Sequence, residues 1–410
     1  MTANAAEEPL DPGARRNLWV TVAMVFVVFT GFAFVLPFLP LYVKELGVAD
    51  DEHAALWAGV LIAVAPLLAG LLAPVWGRLA DRYGQKPMAV RALASYVVLL
   101  GLSALVQDVW QLFALRSGIG LFGGIGPLGL AMATSSMPRA RTGQAVGRIQ
   151  AAQILAAAVG PLTGGLLADT IGIRTTFWAT AALAAVALLL VLRFYEQPPR
   201  REDDASRQTA PFGAILRLSG VPFLLLALFL VNFVGRSFTP ILPLQLSRLG
   251  VTAASLATAT GLLISIYSMA AASSATLLGR AARTRAPERL LVASLAAGAL
   301  TTVPLAWAGS FQAFGAWATL LGLASGGALT LCYTIGGLMV PAVHRTTAFG
   351  FFSAAALAGG SVSPVLAGWF VKHWSLGGVY YTDAALFVLL AFALLARGLD
   401  PRTPTEEGAT

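Results

Sequence analysis

Residues 37–48 read PFLPLYVKELGV and residues 240–251 read PILPLQLSRLGV, with seven of the twelve positions identical at an offset of 203 residues. Two further pairs of segments lie at nearly the same offset: Gly77-Arg78 with Gly279-Arg280, and Gly160-Pro161-x-x-x-Gly165 with Ser363-Pro364-x-x-x-Gly368. Three separate matches at nearly one offset indicate that the chain consists of two repeated halves. The repeat decides the fold, because each half must then build the same arrangement of helices.

The composition describes a chain whose surface faces lipid. Hydrophobic residues make up 57% of it and charged residues 11%, whereas a soluble domain carries about 25% charged residues. The single cysteine, Cys332, excludes an intrachain disulfide, and no Cys/His cluster suggests a metal or another cofactor. The net charge of +8 comes from basic residues in short gaps between apolar runs, which is typical of membrane loops and not of nucleic-acid binding.

Each half contains six apolar runs that are long enough to cross a bilayer, which takes roughly 20 residues. We therefore predict an all-α membrane protein with twelve transmembrane helices in two six-helix pseudo-repeats. Span ten is long enough to be tilted or broken. Spans one to twelve are predicted, in order, at residues 18–43, 55–76, 88–107, 109–134, 145–168, 174–194, 220–246, 253–279, 288–308, 311–340, 346–371 and 379–397.

The distribution of Lys and Arg predicts the orientation. With the N-terminus inside, the inside segments hold 21 of these residues and the outside loops hold four, a bias that places both termini in the cytoplasm. The longest polar stretch between spans begins at Glu196 and reads EQPPRREDDASRQTAP, a composition typical of a flexible linker. It predicts an N-terminal bundle at residues 1–195, a cytoplasmic linker at 196–212 and a C-terminal bundle at 213–410.

The most specific motif is GRLADRYGQK at residues 77–86, between spans two and three. Its glycines allow a tight turn and close helix approach, and Asp81 lies among Arg78, Arg82 and Lys86. A carboxylate there can accept charge-assisted hydrogen bonds and face the positive end of a helix. The alternative is a solvated turn without a specific partner.

This motif resembles the loop signature of the major facilitator superfamily, whose members are transporters with two parallel six-span repeats and a central solute cavity. The resemblance implies a cytoplasmic latch between the halves, facing the start of span eleven near Thr346. Gln85 stands where the family often has a basic residue, and the second copy has Arg283 in place of the acid, so the latch is expected to be one-sided. Its residues would be Gly77, Asp81, Arg82, Gly84 and Lys86.

Span four carries an arginine in the pattern Leu112-x-x-x-Arg116-x-x-x-Gly120. The pattern resembles the superfamily's arginine motif, which implies a role for Arg116 in proton coupling, although Ile119 replaces the usual glutamine. A charged residue inside a span costs about 2.5–3.5 kcal/mol on insertion scales and usually faces protein or water. The alternative is that Arg116 extends to the outer interface.

Span five carries the segment GPLTGG at residues 160–165. It resembles the motif of the superfamily's antiporters, which are mostly exporters, with Ala156 in place of the first glycine. Glycine permits backbone contact between helices, and proline bends a span. The residues Gly160, Pro161, Gly164 and Gly165 would therefore seal two spans together without touching the solute; ordinary Gly/Pro packing is the alternative.

Four segments narrow the resemblance to bacterial multidrug exporters of the MdtG type, in the drug:proton antiporter group: Arg16-Asn-Leu, residues 37–43, Asp108-Val-Trp-Gln and residues 164–169. The resemblance implies a monomer in the bacterial inner membrane that exports small amphiphilic drugs or metabolites in exchange for protons. Its partners would be the solute, protons and the lipid bilayer. The alternatives are an importer or uniporter of a small organic solute, and a membrane protein without transport activity.

In the superfamily, spans one, four, seven and ten line the solute cavity. Aromatic faces with a few polar groups suit an amphiphilic solute, although each aromatic side chain could equally pack or face lipid. No Asp or Glu lies near the middle of a predicted span, so the two embedded arginines favour anionic or neutral solutes over cations. The expected cavity residues are Phe29, Phe34, Arg116, Asn232, Arg236 and Tyr333.

Asp383, near the start of span twelve, is the carboxylate best placed to carry the coupled proton, and an ordinary interfacial aspartate is the alternative. An enzyme would need acids, histidines or nucleophiles gathered on one face, and the sequence offers no such cluster. No Gly-x-x-x-x-Gly-Lys-Ser/Thr loop for ATP occurs either. We therefore expect neither catalysis nor a cofactor, and an ion gradient as the energy source.

Overall fold

The structure is a computed structural model that describes residues 11–138, 141–198, 220–340 and 345–397. Within these ranges, the description excludes the side chains of residues 74, 81, 142, 143, 345–347 and 397. Most of the predicted linker, at residues 199–212, therefore lies outside the described part of the chain. The same holds for the side chain of Asp81, the acid of the predicted latch, and for that of Thr346, near its expected partner.

Across these ranges the chain forms twelve helical stretches that are long and apolar enough to cross a membrane. Each lies within a few residues of its predicted position, so the prediction of an all-α membrane protein with twelve spans is confirmed. Eight of the spans are continuous helices: Asp51–Tyr83 (span two), Gln85–Ser103 (three), Thr142–Ile171 (five), Ile173–Phe194 (six), Leu256–Ala281 (eight), Pro287–Thr302 (nine), Arg345–His373 (eleven) and Leu376–Arg397 (twelve).

The other four spans, which are every third one along the chain, are each interrupted. Spans one and seven break beside the two copies of the proline segment, because proline lacks an N–H group and disrupts a helix. Spans four and ten break at Gly123-Gly124 and Gly326-Gly327, which are again 203 residues apart. The paired helices are Pro12–Val35 and Leu39–Glu45, Val109–Phe122 and Ile125–Ser135, Val221–Ser237 and Leu242–Arg248, and Phe311–Ser325 and Ala328–Met339.

The chain forms two compact units. Unit 1 comprises Met1–Asp50, Val64–Arg201 and Thr252–Ser265, and unit 2 comprises Asp51–Ala63, Glu202–Val251 and Ile266–Thr410. The first part of span two thus belongs to unit 2, and the first part of span eight belongs to unit 1. Within unit 1, span one lies against spans five and six; within unit 2, span seven lies against span eleven, and span nine against span twelve.

Glycines let span eleven touch its neighbours in unit 2 backbone to backbone. A Cβ atom at Gly359 would overlap the carbonyl oxygen of Phe229 in span seven, and one at Gly368 would lie 2.6 Å from the carbonyl oxygen of Ala55 in span two. By contrast, Gly350 of the same span has no atom within 4 Å of such a position. Small residues of this kind allow helix association in a bilayer, where packing replaces the hydrophobic effect.

We expect Gly359→Ala to destabilise the protein by about 1–3 kcal/mol, the usual cost of forcing extra atoms into a packed interior. Thermal unfolding of the detergent-purified protein, followed by tryptophan fluorescence, measures the change. Gly350→Ala is the matched control, because it adds the same methyl group to the same helix where space is open. Equal unfolding temperatures for the two variants would contradict the packing described for span eleven.

Candidate functional site

The break in span four is held by side chains from spans two and three. Trp76 donates its indole N–H to the carbonyl oxygen of Leu121 at 2.9 Å, and Arg91 donates from Nη2 to the carbonyl oxygen of Gly123 at 3.4 Å. The Arg91 guanidinium also lies 3.3 Å from the centre of the Trp76 ring. A broken helix leaves backbone carbonyls without partners, and these two side chains satisfy them.

Tyr96 joins the same break to the predicted residue Arg116. Its phenol oxygen is hydrogen-bonded to the backbone of Gly124 and Ile125, at the start of the second helix of span four. Arg116 is 2% exposed and interacts electrostatically with this tyrosine. The structure therefore buries Arg116 inside unit 1 beside a helix break, instead of extending it to an interface.

Sequence reasoning missed Arg91, Trp76 and Tyr96. Arg91 is one of the 21 basic residues counted in the inside segments, at the start of predicted span three. The structure places it seven residues into the helix Gln85–Ser103, with Nε and Nη1 buried. A signal existed, since the residues on both sides of Arg91 are mostly apolar. These apolar neighbours in the sequence do not show, however, that the partners of Arg91 lie on spans two and four.

In unit 2, small side chains bind the backbone groups at the break of span ten. Ser294, which is 203 residues after Arg91, donates its hydroxyl to the carbonyl oxygen of Ala324 at 2.6 Å. The Ser274 hydroxyl accepts a hydrogen bond from the N–H of Gly327 at 3.2 Å. Serines thus satisfy the backbone groups at the break of span ten, whereas Arg91 contributes to the equivalent break in unit 1.

Arg236 and Asn232 lie together at the break of span seven, in unit 2. The Arg236 side chain is exposed, with its Cγ atom 3.5 Å from the position of a Cβ at Gly360 of span eleven, and its charge interacts with Tyr267 of span eight. The Asn232 oxygen lies 3.0 Å from the same position at Gly360. The structure therefore brings these two predicted cavity residues to one face, beside span eleven.

The three aromatic residues predicted for the cavity lie in different surroundings. Tyr333 stacks on Phe349, with ring centres 5.9 Å apart, and its hydroxyl lies 3.4 Å from that of Ser353. Phe29 reaches the second helix of span four, 3.5 Å from a Cβ position at Gly126. Phe34 is only 9% exposed, and its backbone contacts Gly164 of span five, so this residue contributes to packing inside unit 1.

Asp383 is buried in unit 2, with 3% of its surface exposed. Its Oδ2 atom is hydrogen-bonded to the Ser237 hydroxyl, which also lies 3.0 Å from the carbonyl oxygen of Val234. Within the described residues, neither Asp383 Oδ1 nor the buried hydroxyl of Tyr380, one turn away, has a hydrogen-bond partner. The structure thus places the carboxyl group of Asp383 beside the break of span seven. The sequence indicated only that Asp383 lies near the start of span twelve.

The GPLTGG segment of span five has two packing faces. Positions for a Cβ at Gly160 and Gly164 meet span one, the first 3.1 Å from the carbonyl oxygen of Thr30 and the second against the backbone of Phe34. On the other face, a Cβ at Gly165 would overlap the carbonyl oxygen of Ala257 in span eight, and Pro161 is touched by Gly261 of that span. Gly160, Pro161, Gly164 and Gly165 therefore hold span five between two neighbours.

The turn between spans two and three is hydrogen-bonded to span four, to the end of span six and to Gln197, which follows span six. Gly84 adopts a φ of +94°, which favours glycine. The Gln85 side-chain oxygen accepts a hydrogen bond from the Ser135 hydroxyl at 2.7 Å. The Lys86 ammonium donates to the carbonyl oxygen of Leu192 at 3.1 Å, and its backbone N–H to Gln197 at 2.9 Å. Gln85 therefore makes contacts inside unit 1.

Two further predicted latch residues, Gly77 and Arg82, lie near the end of span two. Gly77 has open space where a Cβ would lie, and Arg82 lies over the ring of its neighbour Tyr83 at 5.3 Å.

Near the turn, burial raises the pKa of the Tyr195 phenol, although hydrogen bonds with Ser136 and Ser135 lower it. This tyrosine therefore keeps its proton and can donate to Gln85, 3.4 Å away.

Known proteins share both the sequence and the fold. The profile of the Major Facilitator Superfamily matches residues 21–307 and 255–410. The multidrug resistance protein MdtG of Proteus mirabilis is 29% identical over 400 residues, covering 97% of this chain and 98% of that protein. MdtG of Yersinia enterocolitica is 33% identical over 333 residues, covering 80% of each.

A solved structure of a bacterial homolog of the human lysosomal transporter Spinster has a similar fold. Its TM-score is 0.76 at 15% identity, with 95% of this chain and 98% of that one covered. The twelve spans, the repeat and the sequence matches agree with one another. The chain belongs to the Major Facilitator Superfamily of membrane transporters, as a relative of the MdtG multidrug resistance proteins.

Proposed function

We propose that the protein is a proton-coupled exporter of small amphiphilic solutes, anionic or neutral, in the bacterial inner membrane with both termini in the cytoplasm. The observation that carries the proposal is Asp383, a buried carboxyl group that is bound to the break of span seven by Ser237. The MdtG relatives, whose name denotes multidrug resistance, support export over import. Neither catalysis nor oligomerisation is part of this proposal.

The surroundings of Asp383 favour its protonated form in this conformation. The Ser237 hydroxyl has one hydrogen and two oxygen neighbours, Val234 O and Asp383 Oδ2. If that hydrogen goes to the carbonyl, the bond between Ser237 and Asp383 needs the proton of the carboxyl group. A buried carboxylate with an unpartnered oxygen would be costly in a membrane. Rearrangement of the break would expose Asp383 to water and release its proton.

Arg236 couples this proton site to the solute. It immediately precedes Ser237, so a solute that binds the guanidinium acts on the same break that holds Asp383. A guanidinium can bind a carboxylate or phosphonate through two parallel hydrogen bonds and repels cations. Asn232, on the same face, adds a polar contact. Arg116 would act in the other unit, where its charge supports the break of span four beside Tyr96.

Gly77, Asp81, Arg82, Gly84 and Lys86 would serve as the latch of the cytoplasmic side, and the turn Gly84-Gln85-Lys86 would support it. Its contacts with Ser135, Leu192 and Gln197 hold the start of span three in place. A rigid turn keeps the helix end before it, which carries Asp81 and Arg82, in a defined position. Gly160, Pro161, Gly164 and Gly165 would limit leakage, since spans that touch backbone to backbone leave no room for a solute between them.

We expect Asp383→Asn to abolish uphill export in proteoliposomes with an imposed pH gradient, because an amide cannot release a proton. Exchange of solute down its own gradient should persist. Asp108→Asn is the control, since Asp108 accepts local hydrogen bonds from the N–H groups of Trp110 and Gln111 at the start of its own helix. Full pH-driven export by Asp383→Asn would rule out Asp383 as the proton carrier, and uptake by the wild type would favour an importer.

We expect Arg236→Gln to raise the KM for an anionic solute at least about tenfold, because hydrogen bonds to a charged group contribute about 1.5–3 kcal/mol. Transport of a neutral solute by the same proteoliposomes should change little and serves as the internal control. Arg236→Lys, which keeps the charge but not the two parallel donors, should lie between the two. Efficient export of a quaternary ammonium dye by the wild type would contradict the proposed solute class.

A further inference from the structure

A carboxylate near the end of span five lies on the first turn of span eight, within unit 1. Asp169 accepts hydrogen bonds from the backbone N–H of Thr258 at 2.7 Å and from that of Ala257 at 3.2 Å. The first N–H groups of a helix lack partners in their own helix, and the helix dipole makes this end positive. Asp169 thus caps a helix that is 88 residues away along the chain.

The cap lies at one end of a continuous contact between the two spans. On the N-terminal side of Asp169 in span five, a Cβ at Gly165 would overlap the Ala257 carbonyl of span eight. A Cβ at Gly261 of span eight would overlap the Pro161 carbonyl of span five. Further along, the N–H of Leu162 donates to the Ser265 hydroxyl at 3.1 Å, and Ser265 is 4% exposed. The contact therefore consists of backbone, glycine and one serine, and Asp169 adds a charge.

The pseudo-equivalent contact in unit 2 has a different charge pattern. There, a Cβ at Gly59 of span two would overlap the Pro364 carbonyl of span eleven, as in unit 1. However, the residue 203 positions after Asp169 is Lys372, and span two carries its own acids, Asp51 and Glu52, in its first turn. A carboxylate from span five is therefore a feature of one of the two contacts, and the repeated fold does not require it.

We propose that Asp169 is a positioning residue for transport: its carboxylate holds the first turn of span eight against span five, and the transport cycle breaks and re-forms this bond. The proposal rests on the proposed function, because spans five and eight belong to different repeats, and transport by alternating access moves one repeat against the other. The proposed orientation places the bond at the outer face. Asp169 does not touch the solute in this role; it acts through the position of span eight.

The test measures access to the contact between spans five and eight. Ser265→Cys is made in a Cys332→Ser background, so that the new thiol is the only one in the chain. A membrane-impermeant maleimide is applied to intact cells and to inverted vesicles, which covers both orientations. With Asp169 present, Cys at this position should react slowly. Asp169→Asn should increase the rate about twofold to fivefold, the range expected for losing a carboxylate at a helix N-terminus.

Two matched variants separate the bond between spans from general stability. Asp108→Asn removes a carboxylate that caps its own helix and should leave the labelling rate unchanged. Thr252→Asp, combined with Asp169→Asn, restores an acid just before span eight without restoring the link to span five. This double variant should label as fast as Asp169→Asn alone. If Asp169→Asn by itself fails to accumulate as folded protein, the labelling rate of the double variant is compared with that of the protein that retains Asp169.

An unchanged labelling rate in Asp169→Asn would overturn the proposal, as would equal acceleration in Asp108→Asn. Slow labelling in the double variant would also overturn it, since the charge would then act only on the stability of span eight. The labelling assay needs no solute. A wild-type protein that transports nothing, yet shows the expected labelling pattern, would refute the proposed function and leave the role of Asp169 in the contact intact.

Discussion

A bilayer core offers no water to an interrupted helix, and this constraint accounts for the arrangement of the polar side chains. Backbone groups that a break releases must find partners inside the protein. Trp76, Arg91 and Tyr96 meet this requirement at span four, and Ser274 and Ser294 meet it at span ten. The breaks are therefore where buried polar groups collect.

The candidate functional residues follow from the same constraint. Arg236 and Ser237 end the first helix of span seven, and Ser237 binds Asp383 of span twelve. Arg116 lies beside the tyrosine that holds the break of span four. Charged groups are costly in a span unless protein or water surrounds them, and the breaks supply such surroundings. The residues proposed to bind the solute and the proton therefore lie beside breaks in the helices.

The two repeats share a scaffold and differ in chemistry. Both use an interrupted helix at every third span and glycine contacts beside a Gly-Pro or Ser-Pro step, as at Pro161 and Pro364. However, unit 1 places Arg91 where unit 2 has Ser294. Asp169 and Lys372 have opposite charges at equivalent positions. The backbone symmetry sets the geometry, and these substitutions allow the two halves to perform different roles.

The sequence by itself determined the twelve spans, the repeat and the presence of arginines within spans, because hydropathy and internal identity are properties of short segments. It also predicted that span ten could be broken, but not that spans one, four and seven are broken as well. Only the tertiary structure decided which side chains meet: Arg91 with Trp76, Ser237 with Asp383, and Asp169 with the start of span eight. These contacts join residues on different helices, and their formation depends on the directions in which packed helices present their side chains, which no local pattern records.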